Sequence, residues 1–158
     1  MTPAQKQQQY RIIRTQLEES FGITSDPVSR MATAAALLYH GMGHFFWVGF
    51  YRLVDGRLLV GPYQGTPACV KLKTNTGVCW AAVCENRVIN VPDVNKFTGH
   101  IACDARSKSE IAVPCCRTDG VVWAALDADS KKYGAFDEID ARELSAIADL
   151  LITVKAES

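Results

Sequence analysis

The sequence predicts an α+β fold, with a central, mainly antiparallel sheet of about six strands flanked by helices. Three observations carry this expectation. Two stretches with helical spacing open the chain, strand-like runs joined by tight turns fill its middle, and a third helical stretch closes it. Tight turns between strands imply antiparallel pairing, and a sheet with an apolar face needs helices to cover it.

The first helix begins at Thr2-Pro3, an N-cap followed by proline at the first helical position. Tyr10, Ile13, Leu17 and Phe21 then recur at three- and four-residue spacing until Gly22 stops the run. Asp26-Pro27 repeats the start signal, and Val28, Met31, Ala35, Leu38 and Tyr39 carry a second helix to Gly41 or Gly43. Residues 45–54 and 57–64 read as strands around Asp55-Gly56, a strong hairpin dipeptide. A further strand is expected over 68–73. Gly77 precedes a short helix over 78–85, residues 87–91 form a strand, and Pro92-Asp93 opens a long loop. Residues 111–116 and 121–129 pair through Thr118-Asp119-Gly120, and Asp137 caps a last helix whose apolar side holds Ile139, Leu144, Ile147, Leu150 and Leu151. The 158 residues read as one domain, with N-terminal helices over 1–40 and the sheet, loops and final helix over 45–158.

Composition narrows the function classes. Apolar residues make up 48% and charged residues 22%, and 17 basic side chains balance 17 acidic ones. Nothing in that balance favours nucleic acid or a membrane surface as partner. No run approaches the roughly 18 apolar residues of a membrane span, and the polar start Met1-Thr2-Pro3-Ala4 is unlike a signal peptide. The expectation is a cytoplasmic chain whose six cysteines (Cys69, Cys79, Cys84, Cys103, Cys115 and Cys116) are thiols with redox, metal or packing roles.

The long loop running from Gly99 to Glu110 draws most attention. Cys103 lies in its middle among His100, Asp104, Arg106 and Lys108, and a thiol near cations is placed to ionise to the reactive thiolate. Irregular loops of this length are usually functional or disordered. On the strand at 45–54, Trp47, Gly49 and Tyr51 share one face, and the missing side chain of Gly49 leaves a notch suited to a small, partly apolar ligand. Plain packing of both faces under helices is the competing reading. Asp127 and Asp129 point to one side of a strand, close enough for one to hold a proton near neutral pH, and Glu110 can join them. A strand end running into an exposed turn accounts for the same pair. Cys79 sits near a helix N-terminus, where the helix dipole lowers a thiol pKa, while Cys84 lies within a helix and Cys115 and Cys116 fall in packing positions on an apolar strand. No Cys-x-x-Cys or histidine-paired spacing exists, so no metal centre is expected.

Taken together, the motifs resemble the free methionine-(R)-sulfoxide reductases, which are single GAF domains. The matching residues are Trp47-Val48-Gly49-Phe50-Tyr51, Gly61-Pro62-Tyr63-Gln64-Gly65, Pro67-Ala68-Cys69 and Gly77-Val78-Cys79. They continue through Val91-Pro92-Asp93-Val94, Gly99-His100-Ile101-Ala102-Cys103-Asp104, Ser109-Glu110-Ile111-Ala112-Val113-Pro114, Leu126-Asp127-Ala128-Asp129-Ser130 and Phe136-Asp137. The resemblance is weak before about residue 30 and strong afterwards.

That resemblance implies a GAF-like fold and reduction of free L-methionine-(R)-sulfoxide without a cofactor. It implies Cys103 as the attacking thiolate, Cys69 as the resolving thiol and Cys79 as a secondary thiol. Trp47 and Tyr51 would hold the methyl end of the substrate, with Glu110, Asp127 and Asp129 around its ammonium and sulfoxide groups. Thioredoxin is the implied reductant and a homodimer the implied assembly. A GAF sensor module that binds a small molecule without turnover is the alternative. Two features depart from the family pattern. Trp80 follows Cys79 where a small residue is expected, which puts the packing of that thiol in question, and Cys84 and Cys115-Cys116 are additional.

Overall fold

The N-terminal helices form where the caps place them. In the computed structural model, which describes residues 1–100 and 103–157, α1 spans Pro3–Phe21 and α2 spans Pro27–Gly41. Thr2 and Gln5 form a reciprocal capping box on α1, and the Asp26 carboxylate accepts from the Ser29 N–H on α2. Then follow β1 (Trp47–Val54), β2 (Arg57–Gln64), α3 (Val78–Glu85), β3 (Ile89–Val91), a 3₁₀ turn (Val94–Lys96), β4 (Ser109–Cys116), β5 (Val122–Ser130) and α4 (Glu138–Thr153). No helix among the described residues is long and apolar enough to cross a membrane.

The five strands are antiparallel and ordered β2-β1-β5-β4-β3. The hairpin between β1 and β2 turns on Asp55 and Gly56, both with positive φ, the geometry that a two-residue turn requires. Pro114 is tolerated inside β4 because β3 pairs only with Glu110, Ile111 and Ala112, so no partner awaits an N–H at that position.

The sixth strand expected over 68–73 does not form as a strand. Its residues approach β2 through one bridge, Leu59 with Lys71, and two backbone hydrogen bonds, Val60 N–H to Val70 O and Leu72 N–H to Leu58 O. Val70 is 73% exposed. The alternating pattern is present, but the segment lies on an edge with no second face to bury, so pairing stops after one register position. β1 also begins at Trp47, two residues later than expected, and β3 at Ile89.

Strand alternation sorts the apolar residues into two cores. Val48 and Phe50 of β1, Ile111 and Val113 of β4, and Leu126 and Ala128 of β5 pack under α1, α2 and α4. The opposite face carries Trp47, Tyr51, Ala112 and Ala125 and is covered by Val78, Cys79 and Ala82 of α3. That cover is short, and the rest of the face is roofed by loops.

Candidate active site

Beside α3, the second face of the sheet opens into a cavity of about 610 Å³, counting its mouth. The middle strands bring three carboxylates to it. In the ladder Glu110 stands opposite Asp129, Ala112 opposite Asp127, and Asp127 opposite Gly49, so the acidic residues cluster although 17 positions separate Glu110 from Asp127 in the chain. Trp47, Tyr51, Cys79, His100 and Cys103 line the same space. All eight residues singled out from the sequence therefore come together here, Cys69 through its bond to Cys103.

Burial sets the electrostatics. Desolvation, reinforced by the neighbouring charges, holds the carboxyls of Glu110 and Asp127 well above the usual range. Asp129 is also raised by burial, but the Ser107 hydroxyl donates to its Oδ1 and His100 lies near, so it stops at about 6. His100 Nε2 lies 2.9 Å from Glu110 Oε2, and burial lowers its own pKa. Asp127 Oδ1 is buried with no hydrogen-bond partner.

Two expectations need correction. The thiol of Cys79 is not made acidic by the helix end. It is buried, and desolvation together with Asp127, Glu110 and Asp129 pushes it well above the ordinary thiol value. A helix dipole acts only over the first turn and is outweighed by burial beside three acidic groups. The notch at Gly49 is also filled. A Cβ there would stand 2.2 Å from the Tyr63 Cβ and 2.9 Å from the Trp47 ring. Tyr63 stacks on Trp47 at 5.3 Å between ring centroids, and Trp47 stacks on Tyr51 at 6.0 Å. The glycine thus lets three aromatic rings close into a wall rather than leaving room for a guest. Trp80, the unexpected neighbour of Cys79, is buried in the same apolar cluster and leaves Cys79 facing the carboxylates.

The roof holds two of the cysteines. Cys69 and Cys103 are joined in a disulfide with Cα atoms 5.6 Å apart. The polar tips of the aromatic wall fasten the Cys69 loop, since Trp47 Nε1 donates to Thr66 O at 3.1 Å and Tyr51 OH to Cys69 O at 3.2 Å. The Cys103 loop is fastened in turn by Asp104, which accepts from Thr66 Oγ1 at 2.8 Å and from the backbone and guanidinium of Arg106. These hydrogen bonds hold the Asp104 carboxyl well below the usual range. Ile101 and Ala102, in the middle of the expected loop, lie outside the described residues. Sequence reasoning treats His100 and Asp104 only as charged neighbours of Cys103 and passes over Thr66 and Ser107. Nothing local marks those two, because their partners are 38 and 22 residues away. Cys84, Cys115 and Cys116 are free thiols that take no part in lining the cavity.

The fold is that of a GAF domain, here with a disulfide lying over a carboxyl-lined cavity. A solved structure described as the GAF domain matches with a TM-score of 0.89 and 31% identity, covering 96% of this chain and 90% of that one. No family model matches the chain. The free methionine-R-sulfoxide reductase of Escherichia coli is 40% identical over 129 residues, which is 82% of this chain and 78% of the relative. The free methionine-R-sulfoxide reductase of Neisseria meningitidis, solved in complex with its substrate, matches with a TM-score of 0.84 and 39% identity over 90% of this chain and 85% of that one. The chain belongs to the free methionine-(R)-sulfoxide reductase family.

Proposed function

We propose that this chain reduces free L-methionine-(R)-sulfoxide to L-methionine, with Cys103 as the attacking thiolate and Cys69 as the resolving thiol. One juxtaposition carries the reading: a bonded thiol pair roofs a cavity whose floor holds the buried carboxyls of Glu110 and Asp127 beside the partly buried Asp129. In the reduced chain Cys103 attacks the sulfoxide sulfur. The protonated oxygen passes from that sulfur to the Cys103 sulfur as the newly made sulfur–sulfur bond opens, so methionine leaves and Cys103 is left as a sulfenic acid. The Cys69 thiol then displaces that oxygen as water and forms the disulfide. Two electrons and two protons from an external dithiol, thioredoxin in this proposal, restore both thiols by exchange. Cys79 is a further thiol through which the disulfide can pass.

Expelling oxide from sulfur requires a proton, and the floor can supply one. Burial favours the protonated forms of Glu110 and Asp127, the forms that can donate to the sulfoxide oxygen. Asp129, at about 6, is the carboxylate available to the substrate's ammonium group. Trp47 and Tyr51 flank the apolar end of the substrate. A cytoplasmic, reducing setting and a homodimer belong to the same proposal by family resemblance.

The test is turnover of racemic free methionine sulfoxide with thioredoxin, thioredoxin reductase and NADPH, wild type against Cys103→Ser. Consumption that stops at half of the racemate in the wild type, with none in the variant, is the expected result. A wild-type chain that consumes nothing overturns the proposal.

A further inference from the structure

Cys79, Glu110 and Asp127 offer one sulfur and two carboxylate oxygens that all lie within 4.8 Å of one another. The three residues are 3%, 7% and 5% exposed and come from α3, β4 and β5, so the group is assembled by the fold and not by a local motif. The Asp127 side chain leans on Cys79 and Glu110, and its Oδ1 is buried against the cavity with no further donor. Buried polar atoms are rarely left unpaired unless something visits them. Beyond the trio stands His100, with Nε2 2.9 Å from Glu110 Oε2.

We propose that Cys79, Glu110 and Asp127 bind a divalent cation of the zinc class, with Cys79 Sγ and one oxygen from each carboxylate as ligands. The cavity side supplies the open fourth position usual for three-ligand zinc sites. A sulfur among the donors selects a borderline-soft ion over magnesium or calcium, which take oxygen alone. On binding, the Cys79 thiol and the carboxyls of Glu110 and Asp127 give up to solvent the protons they hold, the sulfur coordinates as thiolate and the oxygens as carboxylates, and no electrons change hands. The substrate's polar groups and the metal need the same two carboxyl groups. A bound cation therefore excludes free methionine sulfoxide; this consequence rests on the function proposed above, whereas the metal site does not.

The test uses the oxidised chain, in which Cys69 and Cys103 are tied up, titrated with cobalt(II) as a spectroscopic stand-in for zinc. One cobalt per chain is expected, with a thiolate-to-metal charge-transfer absorption that zinc abolishes. The absorption persists in Cys84→Ser and disappears in Cys79→Ser, and Asp127→Asn weakens cobalt binding roughly tenfold or more. Added free L-methionine-(R)-sulfoxide, which the oxidised chain cannot turn over, displaces the metal. Absence of the sulfur absorption in the wild type, or its survival in Cys79→Ser, overturns the proposal. Should Cys79→Ser fail to fold, Asp127→Asn decides the matter, because undiminished affinity there overturns it as well. Turnover is not read in this experiment. A cobalt absorption in a chain that fails to reduce the sulfoxide would sink the proposed function and support the metal site.

Discussion

Asp129 is the one carboxyl of the three whose titration falls at a convenient pH. Its folded value of about 6 lies above the 3.8 of an unburied aspartate, mainly through burial. The native state therefore holds a proton that the unfolded chain releases, and stability falls as pH rises from about 3.8 to about 6. Above that window the folded chain carries the full penalty of a buried charge, on the order of 2–3 kcal/mol. Glu110, Asp127 and Asp104 face Asp129 with acidic groups, His100 with an imidazole and Ser107 with a hydroxyl that donates to it. Asp129→Asn keeps an acceptor for Ser107 and removes the charge. Its melting temperature should match that of the wild type near pH 4 and exceed it near pH 7. A constant difference across that range would show that Asp129 does not carry the penalty.

Between elements, the strongest polar joint ties α1 to α4. Asp140 is fully buried and accepts from Lys6 Nζ at 2.6 Å, Tyr10 OH at 2.7 Å and the Asp137 N–H at 2.9 Å, with His44 Nε2 at 3.2 Å. Burial alone would raise its carboxyl, but these donors outweigh it and hold the group far below the usual range. Removing Asp140 leaves the buried Lys6 ammonium with the half-exposed Asp137 carboxylate, at 2.8 Å, as its remaining ionic partner, and takes the acceptor from Tyr10 OH. Asp140→Ala should cost about 3–5 kcal/mol in denaturant unfolding. A loss under about 1 kcal/mol would mean that packing between the two helices, not this joint, holds them. At this scale the sequence was most legible. Thr2, Asp26 and Asp137 cap the helices they were expected to start, and Asp55-Gly56 makes its hairpin, because each signal acts within four residues of itself. The segment at 68–73 carried the right alternation in the wrong place. The state of Cys79 depends on two strands contributed from 31 and 48 residues further on, which no local dipole rule can see. The candidate residues themselves were readable from motifs, whereas Ser107 and Thr66 became visible only once the loops were folded over the sheet.

For the molecule as a whole, a single covalent bond joins two loops to the same rigid sheet. The Cys69–Cys103 bridge closes a separation of 34 residues, and the chain-entropy account assigns such a closure up to about 4 kcal/mol. The oxidised chain should resist urea more than the reduced one by a substantial part of that amount. Cys69→Ser should abolish the difference between oxidising and reducing conditions. A redox-dependent difference that survives in Cys69→Ser would assign it to other thiols. The sheet contributes the carboxyls and aromatics, and the loops contribute the bonded pair Cys69 and Cys103.

The irregular segment beside Cys69 has a further consequence, for colloidal behaviour. β2 is an edge strand, and edge strands recruit other chains when their backbone groups stand open. Here Val70 and Leu72 occupy part of that edge with two backbone hydrogen bonds, and Cys69 next to them is anchored across the cavity. Reduction releases the anchor and leaves the guard held by those two bonds and by the Trp47 and Tyr51 contacts to the Cys69 loop. The Cys69–Cys103 bond is thus also a latch on one margin of the sheet, and storage under reducing conditions is where strand-to-strand clumping would begin.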